Sequence, residues 1–533
     1  MKKNNLKNLW IGLFLFFVNS TLIADNWPNW RGPKANGVAP NGNPPAEFSE
    51  NKNVQWKINL PGSGSSTPVI WKDEVFILAA EKTGKKAAGS EDETSNERGN
   101  NNSQRRQRPE GRGRSSERGS SANRGGFGGN SFNRDEMMKR FDKNGDGELN
   151  DAERQAMRDE FSQQFSRNRG SDRRSNERSR RGGRSGSGSS RGGFGGGRKP
   201  TEEYRFSLIS YDRESGKENW RSIATTAIPH EGHHRDHGYA SASPVTDGKN
   251  IIASFGSRGL YCFDMKGKIE WKKDFGDMRT RNSFGEGSSP TLHENTIVLL
   301  WDQEDDSYIY AIDKKNGKIK WKRERNEATG WCTPVVTTHK GVTQVLVNGS
   351  KAVRSYRLND GKLLWQCSGQ TGNPVPSIVV DKQNAYAMSG FRGAYIAAIK
   401  MGGDGDLTGT ESVAWTANRG TPYVPSPLLS NDRIWYLAGN NGILSVRDTK
   451  SGKSLIEGER LTGISGVYAS PVSASGKVYI VGRNGSIIVL KDSAKFEVLA
   501  SNKLDEKFDC SPAIVGNQLF LRGKEYLYCI ANN

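Results

Sequence analysis

Four segments of this chain place a glycine four residues ahead of a tryptophan: Gly216 and Trp220, Gly267 and Trp271, Gly317 and Trp321, Gly361 and Trp365. No other feature restricts the possible folds as strongly. A tight hairpin needs a positive φ, which glycine supplies without steric cost. The flanks, such as SLISYD and YIYAID, are β-rich runs that read as strands. A tryptophan at a constant distance past each turn falls on the same face of each successive outer strand, where its ring can pack between neighbouring units. An aspartate precedes three of the turns (Asp212, Asp264 and Asp313). Asp448 and Gly452 repeat the turn without the tryptophan, and Trp56 and Trp415 repeat the strand position without the turn.

A second marker precedes each turn. It is a small-residue, proline, apolar start, seen as SSTPVI, SASPVT, GSSPTL, WCTPVV, PVPSIV, VPSPLL, YASPVS and DCSPAI. Outside one long interruption the starts recur about every 40–50 residues, the period of a four-stranded propeller blade. Eight starts predict an all-β fold, an eight-bladed β-propeller. The last unit, from Asp509 to Ile530, supplies three strands, and the segment 54–60 with Trp56 supplies the fourth. Joining the two ends in this way leaves no sheet edge unpaired.

The pattern AIDKKNGKIKW resembles the tryptophan-docking repeat of quinoprotein-like propellers. That family includes pyrroloquinoline-quinone (PQQ) alcohol dehydrogenases and the propeller lipoprotein of the outer-membrane barrel-assembly machinery. The segment WPNWRGPKANG, Trp27 to Gly37, is also similar to exported bacterial members. The resemblance covers residues 27–80 and 204–533. It implies the fold more strongly than any activity, because one fold hosts many functions.

The first residues read as a signal peptide over 1–24. Lys2, Lys3 and Lys7 precede an apolar run from Trp10 to Val18, too short for a membrane span of about 20 residues. The expected location is periplasmic or secreted, with no transmembrane segment after the signal. Residues 25–80 are the propeller start and 204–533 its remainder. Between them lies an insertion in blade 1, predicted to be disordered over 81–134 and 166–203, where Gly, Ser and Arg dominate and apolar residues are too few to offset chain entropy. Residues 81–203 hold 28 Lys and Arg against 20 Asp and Glu, so +8 of the net charge of +19.

Residues 135–165 read as a small helical EF-hand motif. The loop DKNGDGELNDAE matches the calcium pattern at every position. Asp142, Asn144 and Asp146 offer side-chain oxygens, Glu148 its backbone carbonyl, Asn150 a further ligand and Glu153 a bidentate carboxylate, while Gly147 makes the bend. A lone hand should bind weakly, with a Kd of about 10⁻⁴–10⁻³ M. The Arg/Gly-rich runs suggest a solvated linker or an anionic-surface contact, and export argues against nucleic acid. GGDGDLTG, residues 402–409, lacks the closing glutamate and reads as an exposed hairpin turn.

Four of the six histidines fall in PHEGHHRDHGY: His230, His233, His234 and His237. An exposed polar loop is the simplest reading of them, and their spacing could also suit a transition metal or place a catalytic base. The segment joins one blade's outer strand to the next blade's inner strand, so it should share a face with the insertion. Arg279, Arg281, Arg325 and Arg419 from later links should give that face a basic mouth. The five cysteines form no adjacent pair, whereas the quinone-dependent dehydrogenases carry a vicinal disulfide against their cofactor. The expected function is therefore a binding or scaffold propeller with a protein or envelope partner and one calcium site. The alternatives are a PQQ-dependent oxidoreductase and a metal-dependent enzyme built on the histidines.

Overall fold

In a computed structural model, residues 26–87 and 199–532 are described. The signal-like segment and the EF-hand residues Asp142, Asn144, Asp146, Glu148, Asn150 and Glu153 lie outside them. The described residues form eight antiparallel meanders of four strands, with a fifth strand added to two of them. Blade 1 comprises Val69–Trp71, Glu74–Lys86, Glu202–Asp212 and Glu218–Ala227. Blades 2 to 7 span residues 245–273, 291–325, 335–367, 379–417, 428–460 and 472–503. Blade 8 is closed as the sequence predicts. Val54–Asn59 pairs antiparallel with Tyr526–Ile530, with Trp56 opposite Cys529.

The insertion leaves blade 1 later than its composition suggests. The second and third strands continue beyond residues 80 and 204, pairing Glu81 with Arg205 and Lys86 with Glu202. Hydrophobicity fades at Glu81, but the antiparallel ladder persists on backbone hydrogen bonds with polar pairs across it, Lys82 with Glu202, and Thr83 with Glu203 at 3.0 Å.

The outer strand of every blade carries a register shift one residue before a fixed position. That position holds Trp220, Trp271, Trp321, Trp365 and Trp415 in blades 1 to 5, Ile456 in blade 6, Ala500 in blade 7 and Trp56 in blade 8. A bulge re-aims the following side chain, here towards the next blade. Trp220 lies on Gly267, Trp271 on Gly317, Trp321 on Gly361, Trp415 on Gly452 and Trp56 on Gly216. A Cβ at Gly361, whose φ is +70°, would sit 2.6 Å from the Trp321 ring. The turn glycine thus serves both the left-handed backbone and the close approach of the indole. The indole N–H completes the dock by donating to the carbonyl three residues before the glycine. Trp56 reaches Arg213, Trp271 reaches Lys314, Trp321 reaches Leu358 and Trp415 reaches Thr449, at 2.7–2.9 Å.

Trp365 breaks the series. Blade 5 has no glycine turn at that height; its 402–409 segment instead sends Gly405–Asp406 to pair with the edge of blade 4 at Trp365 and Gln366. Leu407 is buried there beside Trp365. The segment expected to be an exposed turn therefore supplies a fifth strand. The second added strand is Val38–Ala39, parallel to the inner strand of blade 7. All five cysteines are buried and free, behaving as small apolar residues.

Candidate functional site: the central cavity and its histidine strap

The small-residue starts have a role that their composition alone does not reveal. Each places one hydroxyl at the same height around the axis: Thr67, Ser243, Ser289, Thr333, Ser377, Ser426, Ser470 and Ser511. The amide of each donates to the hydroxyl of the next blade. Thr67 reaches Ser243, Ser243 reaches Ser289, and so on to Ser470 and Ser511, seven links at 2.8–3.2 Å. In seven of the eight starts proline follows. It has no N–H to leave unpaired on an innermost strand, which is an edge facing the axis. The eighth link is absent: the Thr67 hydroxyl is buried without a partner. At that seam Arg522 of blade 8 donates to the Ser66 carbonyl at 3.0 Å and to the Leu78 carbonyl at 2.8 Å.

The ring surrounds a cavity of about 450 Å³. Trp30 lines it from the N-terminal segment. That segment approaches the ends of the inner strands away from the ring, with Trp27 bridged to Ile70 and the Pro28 carbonyl accepting from Thr246. Arg31 is buried, and its guanidinium donates to the carbonyls of Asn36, Pro427 and Pro471. Burial without a carboxylate lowers its pKa to about 9.

On the other side the cavity is lined by links between blades and by the loop between the second and third strands of blade 5. Phe391 stacks on Tyr423 with centroids 4.9 Å apart, and Trp331 is fixed by its N–H to the Gly285 carbonyl at 2.8 Å. Arg281 lines the cavity, donating to Asn373 at 2.8 Å. Arg392 lies over the Phe391 ring at 5.2 Å. Among the described residues, neither guanidinium has an acidic partner within ion-pair distance. The site is thus an aromatic well with two cations free to meet an anion.

The four histidines belong to a strap, residues 229–239, that borders the cavity. Its base is tied to the link between blades 2 and 3. His230 Nε2 lies 2.5 Å from the Met278 carbonyl, Glu231 accepts from the Thr280 amide at 3.1 Å, and His237 Nε2 lies 2.8 Å from the Glu286 carbonyl. The same side holds the stem of the insertion, where Tyr204 meets Tyr239 edge-on at 5.0 Å and Tyr239 meets His233 at 4.6 Å. The tip reaches past blades 1 and 8. Asp236 pairs with Arg483 of blade 7 at 3.1 Å and accepts from the Tyr468 hydroxyl at 3.3 Å. Arg483 lies 3.9 Å from the centre of the Tyr468 ring and also binds Asp509. Burial would raise the Asp236 pKa, but Arg483 holds it below the ordinary aspartate value. Burial drives His237 down to about 4, so its imidazole is neutral near pH 7. In the link that anchors the strap, burial raises the Glu286 carboxyl above its usual range although Ser257 donates to it twice.

The strap places the four histidines close together in the chain without converging their nitrogens. His230, His233 and His237 turn ring nitrogens to backbone carbonyls, and His234 Nδ1 accepts from the Asp236 amide at 3.2 Å. Among the described residues no group of three or more His, Cys, Asp or Glu side chains is arranged around a metal-sized point. The expected basic mouth also takes another form. Arg325 is not at the surface: it is buried, bound to Asp302 at 2.7 and 3.1 Å and to the Tyr356 hydroxyl at 2.8 Å. Arg279 is spent on Asp305, and Arg419 is exposed 4.0 Å from Glu457. Of the four, only Arg281 lines the cavity, joined by Arg392, whose glycine-flanked position in FRG offered no periodic signal.

With the geometry in place, comparisons locate the chain among known proteins. Residues 205–455 match the sequence profile of the family described as outer membrane protein assembly factor BamB. No curated protein matches. Similar solved structures include BamB from Moraxella catarrhalis, 12% identical with a TM-score of 0.45, covering 61% of this chain and 93% of that one. They also include the quinohemoprotein alcohol dehydrogenase from Comamonas testosteroni, 9% identical with a TM-score of 0.46, covering 64% and 76%. A computationally designed protein, Ika8, is 11% identical with a TM-score of 0.45, covering 63% and 97%.

Proposed function

We propose that this eight-bladed propeller, whose residues 205–455 match the BamB family profile, is a binding or scaffold protein of the bacterial envelope whose central cavity receives an acidic, aromatic-bearing segment of a protein partner. One observation carries the reading: an aromatic cavity in which Arg281 and Arg392 have no carboxylate among the described residues. Arg281 is half-buried and Arg392 exposed, so a partner's anion can reach both, and complementary charge across an interface gives specificity. The family description as an outer-membrane assembly factor supports a protein partner and an envelope location. The lysine-led apolar N-terminus supports export, and among the described residues no helix is long and apolar enough to cross a membrane.

The cavity does not favour the quinone reading. The cysteines are all free and none are adjacent in sequence. The two cavity carboxylates, Asp236 and Asp509, are both engaged by Arg483, which leaves no acidic set for a calcium ion beside a quinone. No redox step is assigned to these residues. Calcium is instead assigned to the loop from Asp142 to Glu153, and the Arg/Gly-rich insertion to contact with an anionic envelope surface.

The test is fluorescence titration with anilinonaphthalene sulfonate, an aromatic anion. It should bind one per chain. Trp331→Ala should weaken it about tenfold, and Arg281→Gln with Arg392→Gln by a similar factor, as expected for losing an aromatic contact or a charged hydrogen bond. Binding that none of these changes alter would place the site elsewhere. Dye-linked alcohol oxidation after addition of pyrroloquinoline quinone would replace this reading with the oxidoreductase one. Calcium titration should lose most of its heat in Glu153→Gln, and an unchanged isotherm refutes the loop.

A further inference from the structure

We propose that the strap 229–239 is a gate over the central cavity, latched at its tip by one carboxylate, Asp236, on Arg483 of blade 7 and Tyr468 of the link before it. This rests on the reading of the cavity as a binding site and adds how access to it is controlled. The strap is unlike the other links. The link after blade 2 also reaches out, through Arg281 to Asn373 beyond blade 4, but this one starts after blade 1 and ends its reach on blade 7, with Asp236 and Arg483 247 positions apart. Three residues that line the cavity, His234, Asp236 and His237, belong to it.

Its contacts divide unevenly. The base is fixed by His230, Glu231 and His237, each bonded to the link between blades 2 and 3. The tip is held by the Asp236 latch, by the His234 amide to the Phe284 carbonyl at 3.0 Å, and by the edge contact of His234 with Phe284 at 5.2 Å. Arg235, beside the latch, points to solvent with 84% of its side chain exposed. The tip, residues 233–236, lies between Gly232 and the anchored His237, and the glycine gives its backbone freedom to turn on the side of Glu231. Arg483 also holds a second carboxylate, Asp509, at 2.5 Å, which remains its partner if Asp236 leaves. Opening therefore exposes no unpaired buried cation, and the energetic penalty falls on Asp236, which moves towards water.

A gate of this kind changes rates of entry and exit, whereas a fixed roof does not. The experiment uses the full chain and a neutral aromatic probe, N-phenyl-1-naphthylamine, so that removing a charge does not itself steer the probe. Stopped-flow association should accelerate about tenfold in Asp236→Asn and less in Tyr468→Phe, matching the loss of a charged against a neutral hydrogen bond. In parallel, hydrogen exchange of the amides at 233–237 should quicken in Asp236→Asn, while the amides of the hydroxyl ring, Ser243 to Ser470, stay protected and report an intact fold. Unchanged association with unchanged strap exchange would show a fixed roof and overturn the gate. If the probe binds neither protein, the cavity reading fails, and hydrogen exchange alone still decides whether Asp236 holds the strap.

Discussion

Five seams of this ring are closed by an indole on a glycine, and three are not. Between blades 8 and 1, 1 and 2, 2 and 3, 3 and 4, and 5 and 6, a tryptophan docks on the next turn. Between blades 4 and 5, 6 and 7, and 7 and 8 the chain uses other means. Leu407 and its arm cover Trp365 at the first. At the second, Ile456 stands in the tryptophan position and Asp492 of blade 7 gathers Ser430, Asn431 and Arg433 of blade 6 at 2.6–3.2 Å. At the third, Ala500 leaves room for the N-terminal segment: the Phe48 amide donates to Asn502 at 2.8 Å and the Asn43 amide to the Gly516 carbonyl. The docked seams bury apolar surface between a tryptophan and the turn glycine of the neighbouring blade. The others depend on polar pairs and on segments brought from far along the chain. A repeat can therefore lose its signature residue where another part of the molecule can be recruited to fill the groove.

The comparison breaks first at the docked seams. Trp321→Ala should cost about 4 kcal/mol, the range for truncating a buried tryptophan, read from the urea midpoint. A loss under about 1 kcal/mol would mean that docking does not hold the ring together. Next is the polar seam. Arg433→Ala should cost about 3 kcal/mol, because Asp492, only 1% exposed in its side chain, stays buried without its cation. Arg433→Met with Asp492→Leu should recover most of that loss, whereas a double variant as unstable as the single would show that the seam needs the charges themselves.

Gly361→Ala separates backbone strain from docking. It should cost about 2 kcal/mol, against about 1 kcal/mol for Gly476→Ala. Both residues have φ near +70°, but only Gly361 faces an indole, and nothing lies within 4 Å of a Cβ at Gly476. Equal losses would remove the close approach from the argument.

The smallest effect concerns the strap. The folded pKa of His237 is depressed to about 4, below its unfolded value near 6.5. The unfolded chain therefore binds the extra proton first. The stabilisation from a neutral His237 is present above about pH 6.5 and is lost as pH falls towards 4. The melting temperature should drop by a few degrees between pH 7 and pH 5, and His237→Gln should remove that part of the slope while the seam variants keep it.

The strand-and-turn plan was legible because its determinants lie within a few residues of one another. Gly216 and Trp220 specify a hairpin and a facing ring, and Gly452 announced its turn even though Ile456 replaced the indole. The Ser and Thr at the blade starts were visible as small residues, and their fixed register before proline was the available signal for the hydroxyl ring. Arg325 was misplaced at the surface because nothing near it in sequence announces Asp302 and Tyr356. In sequence the strap reads as a loop because its latch partner lies 247 positions away.

By itself the amino-acid sequence determined the all-β class, the number of blades, the tryptophan positions and the closing of the last blade by the 54–60 strand. Each of these follows from local steric demands repeated at a constant period. Only the tertiary structure decided which indole meets which turn, which arginines face the cavity, and that the histidine segment reaches to blade 7. Those contacts join residues of different blades, the strap's across 247 positions, and closing the ring, rather than any local preference, brings them within bonding distance.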